Sequence, residues 1–230
     1  MLDLLRKNTK KILWVIAAMF IVGIFFWYGS GVGRQNTVAE VGSQEVKLDE
    51  YRRTVMQQQR RIRENKEEEL TEEDKINLKR DVLISLINQK IRYQEAKKMG
   101  IIVTEDEIIN TIRNLPQFQQ DEVFNYRLYE QSLKYSLDIT PSEFEKEVKE
   151  RIAIQKLERL ILSSAKVTDK ELKLYYLSNN DSIKGLKEKK DEIKTELLQK
   201  KRMALYNNWR LQLQQKYKTK FYPEVAGLES

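Results

Sequence analysis

The stretch TEEDKINLKRDVLISLINQKIRYQEAKKMG, residues 71–100, reads as one long helix with both ends marked. Thr71 offers a capping hydroxyl and Asp74 a carboxylate three residues later, the spacing that satisfies the orphan amides of a first turn. Val82, Leu83, Leu86, Ile87, Ile91 and Ala96 follow at three- and four-residue intervals, so they share one helix face. Gly100 stands where a helix closes on a left-handed residue. A chain with this element near its centre is a mainly helical protein.

The flanks extend the same reading. Upstream, residues 37–41 and 44–48 alternate polar and apolar around Gly42 and Ser43, which predicts a small hairpin. Asp49 is placed to cap a helix running to about Lys66. Downstream, Thr104 with Glu107 repeats the capping pattern ahead of Ile108, Ile109 and Ile112, and Pro116 breaks that helix. Residues 115–118 lead through Asp121 and Phe124 to a helix over roughly residues 126–137. Thr140 before Pro141 is a cap followed by proline at the first helical position. Phe144, Val148, Ile152 and Leu157 or Leu160 then form an apolar stripe. Thr168 and Glu171 cap a short helix holding Leu172, Tyr175 and Tyr176. Beyond a polar break at residues 178–182, Leu186, Ile193, Leu197, Leu205, Trp209, Leu213 and Tyr217 predict one long helix over 183–217. Residues 218–222 alternate again. An isolated hairpin is marginal, so this strand is expected to join the strands of residues 38–48.

Composition narrows the chemistry. The 230 residues contain no His and no Cys, with three Pro and eight Gly. So little punctuation favours long helices. Lacking His and Cys, the chain has no imidazole base, no thiol nucleophile and no His or Cys ligand for a metal, and neither cofactor nor metal is expected. The 42 basic and 35 acidic residues are interspersed, not gathered into a basic stripe, which argues against nucleic acid as a partner. The acids at 67–69 and 72–74 are read as solvated helix-end carboxylates that suit the helix dipole, in preference to a cation site.

Residues 12–28, ILWVIAAMFIVGIFFWY, are uncharged and follow Arg6, Lys7, Lys10 and Lys11. The run approaches the roughly 20 apolar residues that span a ~30 Å hydrocarbon layer. Ile12, Trp14, Phe20, Phe25, Trp27 and Tyr28 are its expected membrane contacts, with aromatic residues near both ends. Positive charge on the N-terminal side places that end in the cytoplasm and the bulk of the chain across the membrane. Its apolar core is longer than a typical signal-peptide core, so a retained anchor is preferred to a cleaved signal. The expected organisation is a cytoplasmic tip and anchor over 1–33, then one domain over 34–230. That domain has core helices within 49–179, a closing helix over 183–217 and a terminal strand at 218–222.

Residues 81–87 with Ala96, Gly100 and Ile101 resemble the "LIxxxLLxxxAxxxG" helix of SurA- and PpiD-type periplasmic chaperones. The order continues with Val103 to Glu107, Leu115 to Phe118, Phe124, Tyr129, then Thr140, Pro141, Phe144 and Val148. The hairpin and single N-terminal anchor are similar to those of PpiD-type members. The resemblance implies a SurA-N-like helical core that cradles unfolded or nascent exported polypeptides, at the periplasmic face of a bacterial inner membrane. In that family a parvulin prolyl isomerase commonly sits before the final long helix. Here that point, near residues 179–184, has only a few residues and no His, so no isomerase activity is expected.

The candidate client-binding residues are Phe118, Tyr126, Tyr129 and Tyr135, around the Pro116 break. Core filling is the simpler reading for each, most of all for Tyr129, whereas Tyr126 and Tyr135 lie off the Tyr129–Leu133 stripe and suit a surface better. Met56, Met99 and Met203 are read as gap fillers. Besides clients and the lipid bilayer, the export channel and a second copy of the chain are candidate partners. A tethered helical scaffold binding one folded partner, such as a channel component, is the alternative function.

Overall fold

The computed structural model describes residues 36–65, 70–180 and 183–228. The expected anchor, with Ile12, Trp14, Phe20, Phe25, Trp27 and Tyr28, lies outside the described residues. Among the described residues no helix is long and apolar enough to cross a membrane.

In chain order the elements are β1 (Thr37–Val41), β2 (Gln44–Lys47), α1 (Leu48–Asn65), α2 (Glu72–Lys98) and α3 (Glu105–Arg113). A 3-10 turn (Pro116–Phe118) leads to β3 (Gln119–Gln120) and β4 (Val123–Phe124). Then come α4 (Tyr126–Gln131), which continues as a π-helical turn (Ser132–Leu137), α5 (Pro141–Ser163) and α6 (Asp169–Asn179). The chain ends with α7 (Lys190–Lys216), β5 (Thr219–Phe221) and α8 (Pro223–Ala226). The described residues form two compact units, one of residues 36–40, 45–65, 70–83 and 220–228, the other of 41–44, 84–180 and 183–219.

In the first unit the three-stranded sheet runs β2-β1-β5, so the terminal strand does join the hairpin, against β1. The Tyr222 amide donates to the Val38 carbonyl at 2.9 Å, and its hydroxyl donates to Glu40 Oε1 at 2.8 Å. Val38, Val46, Leu48, Tyr51 and Val55 are buried here. The Tyr51 hydroxyl reaches the carbonyls of Lys79 and Ala226, both at 3.3 Å. Helix α1 begins at Leu48, one residue before the expected cap, with Asp49 and Glu50 in its first turn.

The ends of α2 match the reading of residues 71–100. The Asp74 amide donates to Thr71 Oγ1 at 3.2 Å and the Thr71 amide to Asp74 Oδ2 at 3.2 Å. At the far end Gly100 takes φ +73°, the Ile101 amide donates to the Ala96 carbonyl and the Gly100 amide to that of Lys97. This paired closure needs a left-handed residue, which glycine adopts without a Cβ clash.

The second unit has its core in separate clusters. Phe144, Val148 and Ile152 of α5 pack with Ile112, Phe118, Tyr129, Leu133 and Ile139. One residue on, Ala153 and Leu157 turn to Ala96 of α2, with Trp209 of α7 against them. Helix α5 therefore buries two faces. Helix α7 is 27 residues, about 40 Å at 1.5 Å per residue. It starts at Lys190, later than the 183 expected, because residues 183–189 form turns. Its end packs Leu213 and Tyr217 on Ile91 and Val41, and its start packs Ile193 on Leu172 and Tyr176.

Polar contacts tie the helices of this unit together. Glu158 accepts from Arg92 Nη1 at 2.7 Å and from the Tyr206 hydroxyl at 2.8 Å. Glu95 accepts from Lys216 Nζ at 2.6 Å and the Tyr217 hydroxyl at 2.7 Å. Burial pushes the Glu95 carboxyl up, yet these donors outweigh it and hold the group below its ordinary value. Lys90 and Glu150 form a buried ion pair at 2.9 Å.

Candidate functional site

The site grows out of the break after α3. Pro116 has no amide to donate, so α3 ends at Arg113 and a single 3-10 turn drops Phe118 into the core. Strands β3 and β4 then pair antiparallel, Gln119 with Phe124 and Gln120 with Val123, across a two-residue turn. Asp121 and Glu122 both take positive φ, 53° and 66°, the conformation that matches the twist of a tight hairpin. This hairpin was not legible beforehand, since neither turn residue is Gly or Asn. Asn125 closes it and opens α4: its Oδ1 accepts from the Leu128 amide at 3.1 Å and its Nδ2 donates to Gln120 Oε1 at 2.8 Å.

The inner face of α4 is locked by rings. Phe118 meets Tyr129 and Phe144 edge-to-face at 5.1 and 5.5 Å, and Phe124 leans on Tyr129 at 5.8 Å. Each such pair contributes roughly 0.5–1.5 kcal/mol beyond its burial. Phe118 is 0% exposed and Tyr129 5%, so these two candidates are core residues and present no surface to a client. The Tyr129 hydroxyl is buried without a hydrogen-bond partner among the described residues. Burial above all, with Glu145 and Tyr126 adding, pushes it up to about 12.

The other two candidates lie off that inner stripe. Tyr126 is 63% exposed and rests its ring 6.2 Å from that of Tyr129. Its hydroxyl bonds the Glu130 carboxylate, which raises it above the ordinary tyrosine value. Tyr135 is 75% exposed. It follows buried Leu133 by two residues, which on a helical turn points it to the opposite side. The π-turn supplies the wider closure. The Asp138 and Ile139 amides both donate to the Leu133 carbonyl, and Asp138 takes φ 49°. Ile139 is thereby returned to the core and the Thr140 cap begins α5.

Where the turn swings out it leaves an open recess of about 610 Å³, lined by Leu133, Tyr135, Ile139 and Pro141 with Glu130 and Asp138 among its polar groups. Tyr135 thus lines a cavity, and Tyr126 is not among the residues that line it. The sequence reading missed Glu130 and Asp138, because charges on a polar helix face look solvated one by one. The left-handed Asp138 just before the Thr140-Pro141 start was the available signal. A second recess of about 580 Å³ lies at residues 183–190, over Leu172, Ile183 and Leu186, with Lys173, Lys184 and Lys187 on it. Among the described residues no group of three or more Asp, Glu, His or Cys is placed to hold a metal ion.

The sequence is 34% identical over 105 residues to Foldase protein PrsA of Clostridium acetobutylicum, covering 45% of this chain and 31% of that protein. It is 29% identical over 110 residues to Foldase protein PrsA of Caldanaerobacter subterraneus subsp. tengcongensis, covering 48% of this chain and 29% of that protein. The chain therefore spans less than a third of the length of these curated relatives. No match to a parvulin domain is found in it. The SurA-like N-terminal domain matches residues 1–158, well over half the chain, with α2, α3, α4 and most of α5 inside the match, and the chain belongs to that family.

Proposed function

We propose that this chain is a holdase for unfolded exported polypeptides, tethered to the bacterial inner membrane by residues 12–28, with its bulk on the exported side and without isomerase catalysis of its own. Family membership and likeness to foldases support a chaperone role. The observation that carries the finer reading is the surface of α4 and its π-turn, where Tyr126 and Tyr135 are exposed and Tyr135 lines an open recess, while the inner stripe is fixed in an aromatic core.

Such a surface binds by removing apolar area from water. Each tyrosine can cover on the order of 100 Å², worth about 2.5 kcal/mol at ~25 cal/mol per Å². Association entropy offsets most of that for one contact. A single patch is therefore weak and exchanges quickly, which suits a binder that must accept many sequences and release them. Rigid rings lose little entropy on binding, and Tyr129 backs the Tyr126 ring from beneath. Tethering raises the local concentration of binder where chains emerge, so weak contacts suffice.

The test is aggregation of several unfolded exported proteins, followed by light scattering, with and without the full chain. Suppression at near-stoichiometric ratio is expected, weakened about tenfold in Tyr126→Ser/Tyr135→Ser with helical circular dichroism unchanged. Absence of suppression across clients, or a double variant as active as the parent, refutes the reading. Capture of one folded partner with no effect on unfolded clients replaces it with a tethered scaffold.

A further inference from the structure

We infer that the recess beside Tyr135 selects client segments in which a lysine or arginine adjoins an aliphatic residue. This deepens the holdase reading and rests on it. The chain carries a formal net charge of +7, yet the recess lining reverses that sign, with Glu130, Asp138 and Glu143 against the single cation Lys134. The floor is apolar: Leu133, Ile139 and Pro141, with the Tyr135 ring on one side. Its volume of about 610 Å³ falls within the size range of side-chain and small-ligand clefts, roughly 300–1,000 Å³.

The charges are not equivalent. Glu143 is committed to the helix start, accepting from the Thr140 amide at 3.0 Å and the Thr140 hydroxyl at 2.7 Å. Lys134 lies over the Tyr135 ring, 5.3 Å from its centroid, so one face of that ring already holds a cation. Glu130 takes the Tyr126 hydroxyl on one side. A carboxylate accepts several hydrogen bonds, so Glu130 can still take a client ammonium or guanidinium. Asp138 sits at the lip where the π-turn ends. An aliphatic side chain on the floor places its cationic neighbour against Asp138 and Glu130, and arginine can also stack on the tyrosine. Acidic segments meet like charge there. The second recess has the opposite balance, with Lys173, Lys184, Lys187 and Lys190 against Asp169 and Glu188.

The experiment measures binding of two fluorescent peptides to the full chain. One carries Leu-Lys and Ile-Arg pairs, the other has Gln in place of each cation. The cationic peptide is expected to bind about tenfold more tightly at low salt, a preference that fades as salt approaches about 1 M, where the screening length is ~3 Å. Glu130→Gln/Asp138→Asn should bring the two affinities together. Both substitutions keep local structure: Gln still accepts from Tyr126, and Asn adopts the left-handed conformation. Equal affinities in the parent, or a preference that survives in the double variant, overturn the inference. Binding of neither peptide also overturns it, and the aggregation assay then decides separately whether the holdase reading stands on another surface.

Discussion

Removing the Glu150 carboxylate should be the most damaging single polar change in the second unit. Lys90 of α2 and Glu150 of α5 meet at 2.9 Å with side chains only 7% and 3% exposed. The helices around them pack Ile91, Ala96, Ile152 and Ala153, so no bulk water is at hand to solvate a stranded ammonium. Glu150→Ala removes the carboxylate that meets the buried Lys90 ammonium at 2.9 Å, a loss of about 3–5 kcal/mol. Total stability of a domain is roughly 5–15 kcal/mol, so the variant should be close to unfolding at 37 °C. Replacing both partners, as in Lys90→Met/Glu150→Leu, removes the charge and its desolvation together, and should fall within about 2 kcal/mol of the parent in either direction. The assay is urea denaturation of the parent, both single variants and the double variant, followed by circular dichroism at 222 nm, with the slopes checked for equality. The coupling term of that cycle should exceed ~2 kcal/mol. A Glu150→Ala cost under about 1 kcal/mol, or a double variant as unstable as the single, would show that the pair is solvated and the reasoning wrong.

Three further outcomes follow from local geometry. Thr140→Ala and Thr168→Ala each delete one half of a capping box and should cost about 1 kcal/mol by denaturant midpoint; a change within error would mean water replaces the cap. Gly42 has φ +57° and an added Cβ would meet the Gln94 side-chain amide at 2.6 Å, whereas one at Gly100, φ +73°, meets nothing within 4 Å. Both Gly→Ala changes should cost about 1–2 kcal/mol from backbone strain, with Gly42→Ala the larger in thermal melts. Acid should destabilise the second unit. Hydrogen bonds from Lys201 and from the Thr168 amide and hydroxyl hold Glu171 down to about 2, against an ordinary 4.5. A folded value below the unfolded one means that its contribution is complete above about pH 4.5 and is lost as pH falls toward 2, so melting temperature should drop through that window and drop less in Glu171→Gln. At the alkaline end Tyr217, raised to about 12 by burial and its bond to Glu95, contributes fully below pH 10 and loses that contribution as pH rises toward 12.

Helix existence was legible because helix signals are local. Capping pairs at Thr71, Thr104, Thr140 and Thr168 all open helices, since a hydroxyl and a carboxylate three residues apart satisfy the first amides wherever the chain goes next. The terminal strand was predicted from its alternation and from the poor stability of a lone hairpin, and it pairs with β1. The tight turn at Asp121 and Glu122 was not readable, because its residues are poor left-handed formers that only their surroundings hold there. The aromatic candidates were partly legible: Tyr126 and Tyr135 lie off the Tyr129–Leu133 stripe and are exposed, whereas Tyr129 on that stripe is core, as is Phe118.

The order of residues alone thus determined that this is a mainly helical chain, where the four helices capped by threonine start, and that it has no imidazole or thiol chemistry. These follow from short-range spacing and from side-chain types. Only the tertiary structure decided which charges are buried, and that a π-turn opens a recess between Leu133 and Pro141. The charge pairing depends on contacts between residues 60 or more positions apart, such as Lys90 with Glu150 and Glu95 with Lys216, and no local period encodes which helix faces meet.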